Sequence, residues 1–274
     1  MLRRLALPFA FACSLASGLI VSAAGCSDDD SGGSGPSAGD GGADAQPDVP
    51  VVVTNDTESK QSGKIIRAQT EDEGVPGATV TIAGKTATTN ASGDYEIIVP
   101  RNAPYQMTVS APEYFKLLEQ EMIVKKETLD RGTTTLLPTA TATFLAGFLP
   151  GRKAEKGIVV VKVNPQPPCT SEEGSTVAID PPGEAKVVYF GGALPESSRT
   201  TVKAGTTFSA AIYDVDVGVP LKVAVTSPDC AQVPFPIEVG DVTYTGFQTA
   251  EPGDALSYVR VYIRDPLATD AGAD

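Results

Sequence analysis

The chain has 274 residues and a formal net charge of −13, with 34 acidic side chains against 21 basic ones and no histidine. The acidic balance argues against nucleic acid as a partner and against electrostatic attraction to anionic lipid. Without histidine, the chain has no Ser-His-Asp or Cys-His nucleophilic site and lacks the commonest ligand of transition metals.

The first 25 residues have the organisation of a secretion signal. Arg3 and Arg4 precede a mostly apolar run over 5–21, and small residues follow it up to Gly25. The run is shorter than the about 20 residues that a membrane-spanning helix needs, and it ends in small residues rather than a polar stop. We therefore predict a cleaved signal peptide over 1–25.

Three small residues, Ala23, Ala24 and Gly25, stand directly before Cys26. This pattern resembles the lipobox of bacterial lipoproteins, in which the cysteine becomes the acylated N-terminus. Ala23 departs from the Leu that is usual there, which leaves ordinary cleavage at Ala23 or Ala24 as the alternative. The resemblance implies a membrane anchor of several acyl chains on Cys26. In that family Ser27, rather than Asp, after the cysteine favours the outer membrane, facing the periplasm or the cell surface.

Residues 26–61 form the next segment, which is dominated over 27–48 by Ser, Gly and Asp. This composition cannot bury a core, so we predict a disordered acidic tether. The three aspartates at 28–30 have the charge for calcium, but a solvated spacer explains them without an enforced geometry. Residues 266–274 are predicted to be a flexible tail.

Cys169 and Cys230 are the two cysteines left once Cys13 departs with the signal and Cys26 is acylated. In an exported protein two such cysteines most simply form a disulfide, which here closes a loop of about sixty residues. Zinc is the competing interpretation, but two cysteines without histidine do not complete a ligand set.

From Ser62 onward the sequence consists of short β-prone runs separated by Gly, Pro and Asn. In one of them Ala78, Val80 and Ile82 alternate with threonines, the pattern of a strand with one buried face. Only 114–126 is also compatible with a helix. The spacing of the runs predicts an all-β fold built from β-sandwiches.

Three motifs occur in order between residues 62 and 138: VPGATV at 75–80, TATTNASGDY at 86–95 and PYQMTVSAPEY at 104–114. Together they resemble the carboxypeptidase regulatory-like domain, a transthyretin-like (prealbumin-like) Greek-key β-sandwich. Glu113 departs from the Gly that is usual in that family. The resemblance implies a β-sandwich over 62–138 that acts as an accessory domain.

A second region, 156–265, repeats part of this plan. GSTVAI at 174–179 and PLKVAVTSPDC at 220–230 are similar to segments of the first region in the same order. Duplication followed by loop insertion explains the order, and chance similarity of Thr- and Val-rich strands is the alternative. We expect two transthyretin-like β-sandwich domains joined at 139–155.

Two pairs of residues are candidate ligand sites. Asp214 and Asp216 alternate along a run, so both carboxylates can face one side and offer oxygen ligands to calcium; a polar strand end is the alternative. Tyr258 and Tyr262 share a face with Arg260 and would offer an aromatic platform to a glycan. A half-buried sheet face explains the two tyrosines equally well.

No cofactor motif accompanies these features, since Gly191-Gly192 lacks the Lys-Ser/Thr of a P-loop. We predict a non-enzymatic envelope lipoprotein whose domains bind an envelope protein or a polysaccharide, or serve structural display. The alternatives are a carboxylate-dependent glycan hydrolase and a calcium-stabilised adhesion module.

Overall fold

The computed structural model describes residues 57–70 and 72–265. The predicted signal peptide, the lipidation site Cys26, most of the tether and the tail lie outside the described residues. Within the described part, no helix combines the length and apolar character that a transmembrane span requires.

The described chain is all-β, as predicted, with a single short helix. The helix α1 is Thr139–Ala146, and the strands are β1 Glu58–Arg67, β2 Thr79–Ile82, β3 Lys85–Thr88, β4 Asp94–Pro100, β5 Pro104–Tyr105, β6 Met107–Ser110, β7 Lys116–Glu119, β8 Met122–Val124, β9 Thr128–Leu136, β10 Gly157–Pro165, β11 Thr176–Asp180, β12 Lys186–Phe190, β13 Pro195–Glu196, β14 Ala210–Val215, β15 Lys222–Thr226, β16 Ala231–Gln232, β17 Ile237–Val239, β18 Val242–Tyr244 and β19 Ala255–Arg264.

Two local details differ from the sequence interpretation. Residues 58–61, which the sequence assigned to the tether, begin β1, because Ser59 and Gln61 are fully buried between neighbouring strands. The ambiguous segment 114–126 forms two strands, β7 and β8, and the helix lies instead in the predicted junction, where it follows Pro138.

One long sheet runs through both predicted regions, in the order β13-β12-β14-β10-β19-β7-β6-β2-β3, with β16 pairing to the end of β19. At its centre, β19 is parallel to β10 on one side and to β7 on the other. The β7 contact joins Ala255–Tyr258 to Lys116–Glu119. The last strand of the second region therefore pairs directly with the first region.

Two smaller sheets cover opposite faces of this long sheet. Alternation along β19 places Val259, Val261 and Ile263 in a core with the β11-β15 pair. The other face, with Tyr258 and Tyr262, packs against a core that the three-stranded sheet β4-β1-β9 closes. Each half of the long sheet thus belongs to a two-layer sandwich.

The first core also contains residues from the second region. Val233, Ile237 and Tyr244 are buried in it, and β18 pairs with β8 through the Val242–Val124 and Tyr244–Met122 contacts. These contacts hold the β17-β18 hairpin beside the aromatic face of β19.

Candidate binding face on β19

The face of β19 that carries Tyr258, Arg260 and Tyr262 is partly buried, in contrast to the fully buried opposite face. The strict alternation arises because successive side chains of a strand point to opposite sides. One backbone edge of β19 pairs with β10 over 257–263, and the other pairs with β7 over Ala255–Tyr258 and is then hydrogen-bonded by Gln120 and Val233. A ligand on this face would therefore contact mainly side chains.

Aromatic rings from other strands and loops pack against this face, and two of them, Tyr244 and Phe190, are buried. Tyr262 lies 6.4 Å from Tyr244 of β18, and Tyr258 lies 6.2 Å from Phe208, which in turn lies 5.7 Å from Phe190 of β12. These centroid distances and tilted or edge-on angles are those of favourable aromatic pairs. No local sequence pattern marks Tyr244, Phe208 or Phe190 as members of this face, because they come from different parts of the chain.

Arg260 lies between the two tyrosines of β19 and is held by its neighbours. Its guanidinium carbon is 4.8 Å from the centre of the Tyr258 ring, and Nη1 donates a hydrogen bond of 3.3 Å to the Tyr244 hydroxyl. Its backbone N–H donates to Oε1 of Gln120 at 3.1 Å. Burial lowers the pKa of Arg260, but the Glu119 carboxylate and the tyrosine oxygens outweigh burial and raise it. Arg260 is therefore a fixed cation.

Glu119 of β7 forms a buried ion pair below this face. Its Oε2 is 2.9 Å from Nη2 of Arg131, and the two side chains are only 7% and 6% exposed. Thr134 donates to the other carboxylate oxygen at 3.3 Å, and Nη1 of Arg131 donates to Oε1 of Gln61 at 3.3 Å. Nε of Arg131 has no partner among the described residues. The sequence interpretation missed this pair, whose members lie on different strands.

The tyrosine hydroxyls of the face stay protonated far above neutral pH. Burial, followed by the neighbouring Tyr244, raises the pKa of Tyr262 to about 12. Burial is also the first cause that raises the pKa of Tyr258. At neutral pH both hydroxyls remain able to donate hydrogen bonds.

Lys162 of β10 lies beside Arg260 in the sheet, and its charge is compensated. Its Nζ donates to the Thr206 carbonyl oxygen at 2.7 Å and lies 3.2 Å from Oε1 of the buried Glu172. Within the described part of the chain, no carboxylate lies at ion-pair distance from Arg260 itself. Arg260 is thus the cation of this face that lacks a direct counter-ion.

Asp214 and Asp216, the candidate calcium ligands, are each held by a lysine. Asp214 is buried and accepts hydrogen bonds of 2.8 Å from the Lys153 backbone N–H and from Lys186 Nζ. Burial raises its pKa, but these two donors outweigh burial and lower it. Asp216 pairs with Lys156. Calcium at these aspartates stays a prediction that requires displacing the lysines, and no group of three metal-ligating side chains occurs in 57–70 and 72–265.

The predicted disulfide is confirmed. Cys169 and Cys230 are bonded, with 6.2 Å between their Cα atoms, and they lie 61 positions apart in the sequence. Cys169 is buried in the core under β11-β15, and Cys230 packs against that core.

A separate open groove of about 600 Å³ lies away from β19, along β1, β4 and β9. Its lining includes Asp94, Glu96 and Asp130, and Glu96 is already paired with Lys60 at 2.8 Å. The groove offers little aromatic surface, because Tyr95 at its floor is 5% exposed. The β19 face is therefore the better candidate for a ligand.

The chain matches no known family and no curated protein. Among solved structures it is similar to a type II cohesin–X-dockerin complex from Acetivibrio cellulolyticus, with 18% identity over 28% of this chain and 56% of that one, and a TM-score of 0.23. It is also similar to the TIE protein of Bacillus anthracis, with 10% identity over 76% and 34%, and a TM-score of 0.25. A shaft pilin from Lactobacillus rhamnosus GG has 9% identity over 76% and 97%, and a TM-score of 0.22. The chain thus spans about a third to a half of the first two solved chains, and likeness of this size identifies no family.

Proposed function

We propose that this chain is a non-enzymatic lipoprotein of the bacterial cell envelope that binds carbohydrate on the β19 face. The observation that carries the proposal is the row Tyr258, Arg260 and Tyr262, in which two partly buried tyrosines flank a fixed cation. Aromatic rings offer apolar faces for the C–H side of a sugar ring, while hydroxyls and a guanidinium form hydrogen bonds with its polar groups.

The position of β19 in the sheet favours carbohydrate over an extended peptide. Peptides often bind by adding a strand to an open sheet edge. β10 pairs with one edge of β19 over 257–263, and on the other edge β7 pairs with Ala255–Tyr258. Beyond β7, Gln120 accepts from the Arg260 N–H and the Val233 N–H donates to the Tyr262 carbonyl oxygen, so this edge also has little free backbone. A ligand on this face has to be recognised mainly by side chains, which suits a sugar.

The rest of the proposal concerns the chain outside this face. A lipid anchor on Cys26 would hold the protein at a membrane, which we propose is the outer membrane. Regions 62–138 and 156–265 are proposed to be related transthyretin-like β-sandwiches, displayed at the end of the acidic tether. A protein partner in the envelope remains the alternative ligand.

The binding test compares tyrosine variants on a panel of polysaccharides. Tyr258→Ala and Tyr262→Ala are each expected to weaken binding about tenfold, the loss for one aromatic contact and its buried area. Phe247→Ala is the matched control, because Phe247 is a 43% exposed aromatic side chain that lies beside Lys222 of β15, the strand that covers the opposite face of β19. Binding that survives in the Tyr258/Tyr262 double variant would contradict the proposal.

Two further measurements address the alternatives. Turnover of any polysaccharide that is abolished by a single Asp or Glu replacement would favour the hydrolase. A melting temperature that rises with calcium and falls with a chelator would favour the calcium-stabilised module. For the anchor, Cys26→Ala is expected to abolish incorporation of labelled fatty acid, and incorporation that persists in this variant would contradict lipidation at Cys26.

A further inference from the structure

The charges around the β19 face do not balance. Arg260 and Arg131 both lie near Glu119, which forms its ion pair with Arg131. Lys162, the neighbouring cation, has Glu172 as its own partner. The described residues around this face therefore contain one positive charge in excess, in a chain whose formal net charge is −13.

Arg260 also has unused capacity to donate. A guanidinium has five N–H donors in a planar fork, and the neighbours of Arg260 are tyrosine rings and hydroxyls. None of its nitrogen atoms is both fully buried and without a partner, so the donors left over retain some contact with solvent. A planar fork that is free on one side matches the two oxygens of a carboxylate.

We propose that the β19 face recognises an acidic polysaccharide, with Arg260 bound to the carboxylate of a uronic acid unit. The parts of Tyr258 and Tyr262 that remain exposed contact the sugar units on either side. This inference rests on the proposed function and specifies its ligand class. Along a strand, residues four positions apart are about 13 Å from each other. The rings of Tyr258 and Tyr262 therefore contact units on both sides of the charged one.

The experiment uses the full-length protein and matched pairs of oligosaccharides in calorimetric titrations. The probes are oligomers of galacturonate, alginate and hyaluronan, each compared with its carboxyl methyl ester. The ester keeps the sugar rings and removes the charge, so the wild-type protein alone tests the role of the carboxylate. At least one acidic oligomer is expected to bind about tenfold or more tightly than its ester, because a charge-assisted bidentate contact is lost.

Variants then assign the effect to Arg260. Arg260→Gln is expected to weaken binding of the acid about tenfold or more and to weaken binding of the ester clearly less, because the ester lacks the charge that Arg260 pairs with. Arg260→Lys keeps the charge but loses the planar fork, so its affinity for the acid is expected to lie between those of the wild type and of Arg260→Gln. Lys222→Gln is the matched control, because Lys222 lies over Phe247 at 4.6 Å, away from this face. Circular dichroism and the urea midpoint check that each variant is folded.

Each other outcome overturns a defined part of the reasoning. Equal binding of acids and esters that still depends on Tyr258 would overturn the inference and leave the proposed function standing. Binding of no oligosaccharide in either form would overturn both. Arg260-dependent binding of poly-glutamate, without any oligosaccharide, would show that the face recognises acidic protein instead.

Discussion

The disulfide between Cys169 and Cys230 supports a quantitative prediction about stability. It links the loop after β10 to the residue before β16, across 61 positions. In the chain-entropy description, closing a loop of this length in the unfolded chain stabilises the folded protein by about 4 kcal/mol. The double variant Cys169→Ala/Cys230→Ala is therefore expected to lose about 4 kcal/mol of unfolding free energy.

The local structure indicates which part of the fold loses stability first when the disulfide is removed. Gln232, two residues after Cys230, accepts a hydrogen bond from the Val225 N–H at 2.7 Å and donates to the Val223 carbonyl oxygen at 3.2 Å. Its side chain thus covers the free edge of β15. Without the disulfide, the β11-β15 layer is expected to show faster hydrogen exchange than β1.

Urea unfolding, analysed by linear extrapolation, measures the free energy. Wild-type protein unfolded in the presence of a reductant serves as the control and is expected to match the double variant. A loss below about 1 kcal/mol in both samples would refute the loop-closure reasoning. A loss in the variant but not in the reduced protein would instead point to the cavity left by the alanines.

Three further predictions follow from the titratable groups. Glu119→Gln leaves Arg131 buried without its counter-ion and is expected to cost about 3 to 5 kcal/mol in urea unfolding; an unchanged midpoint would contradict a buried ion pair. The pKa of Asp214 is lower in the folded protein than in the unfolded chain, so its carboxylate stabilises the fold at any pH above the unfolded pKa. This stabilisation is lost as the pH falls through the folded pKa, so stability of the Asp214→Asn variant should decline less steeply below about pH 4. Burial raises the pKa of Tyr95 and of Tyr262 to about 12 from the usual 10.0 and also raises the pKa of Tyr105 and of Tyr258, so ultraviolet titration should show these tyrosines ionising late, and stability should fall as the pH rises from about 10 to about 12; ionisation of every tyrosine near pH 10 would contradict their burial.

Patterns local in the chain predicted much of the fold. Alternation of Thr and apolar residues predicted strands, because a strand places neighbours on opposite faces. The same rule, applied to the amino-acid sequence, placed Tyr258, Arg260 and Tyr262 on one face. The pairing of Cys169 with Cys230 followed from counting the cysteines of a chain predicted to be exported.

The sequence interpretation could not anticipate how strands from distant parts of the chain meet. β19 reads as the last strand of the second region, yet it lies between β10 and β7 and joins both regions in one sheet. Hydrogen bonding between strands is carried by backbone groups that every residue has, so the side-chain pattern does not specify the neighbour. The short helix α1 was not predicted, because its Thr and Ala residues have no strong apolar periodicity.

The sequence by itself determined the all-β class, the disulfide and the row of alternating side chains on β19, because each depends on local periodicity or on composition. Only the tertiary structure decided that Glu119 pairs with Arg131 and leaves Arg260 without a direct counter-ion. Arg260 lies 141 positions from Glu119 in the sequence, and the two approach each other only because β19 and β7 pair side by side. The charge of the candidate binding face is therefore a property of strand pairing, which brings residues together across the whole chain.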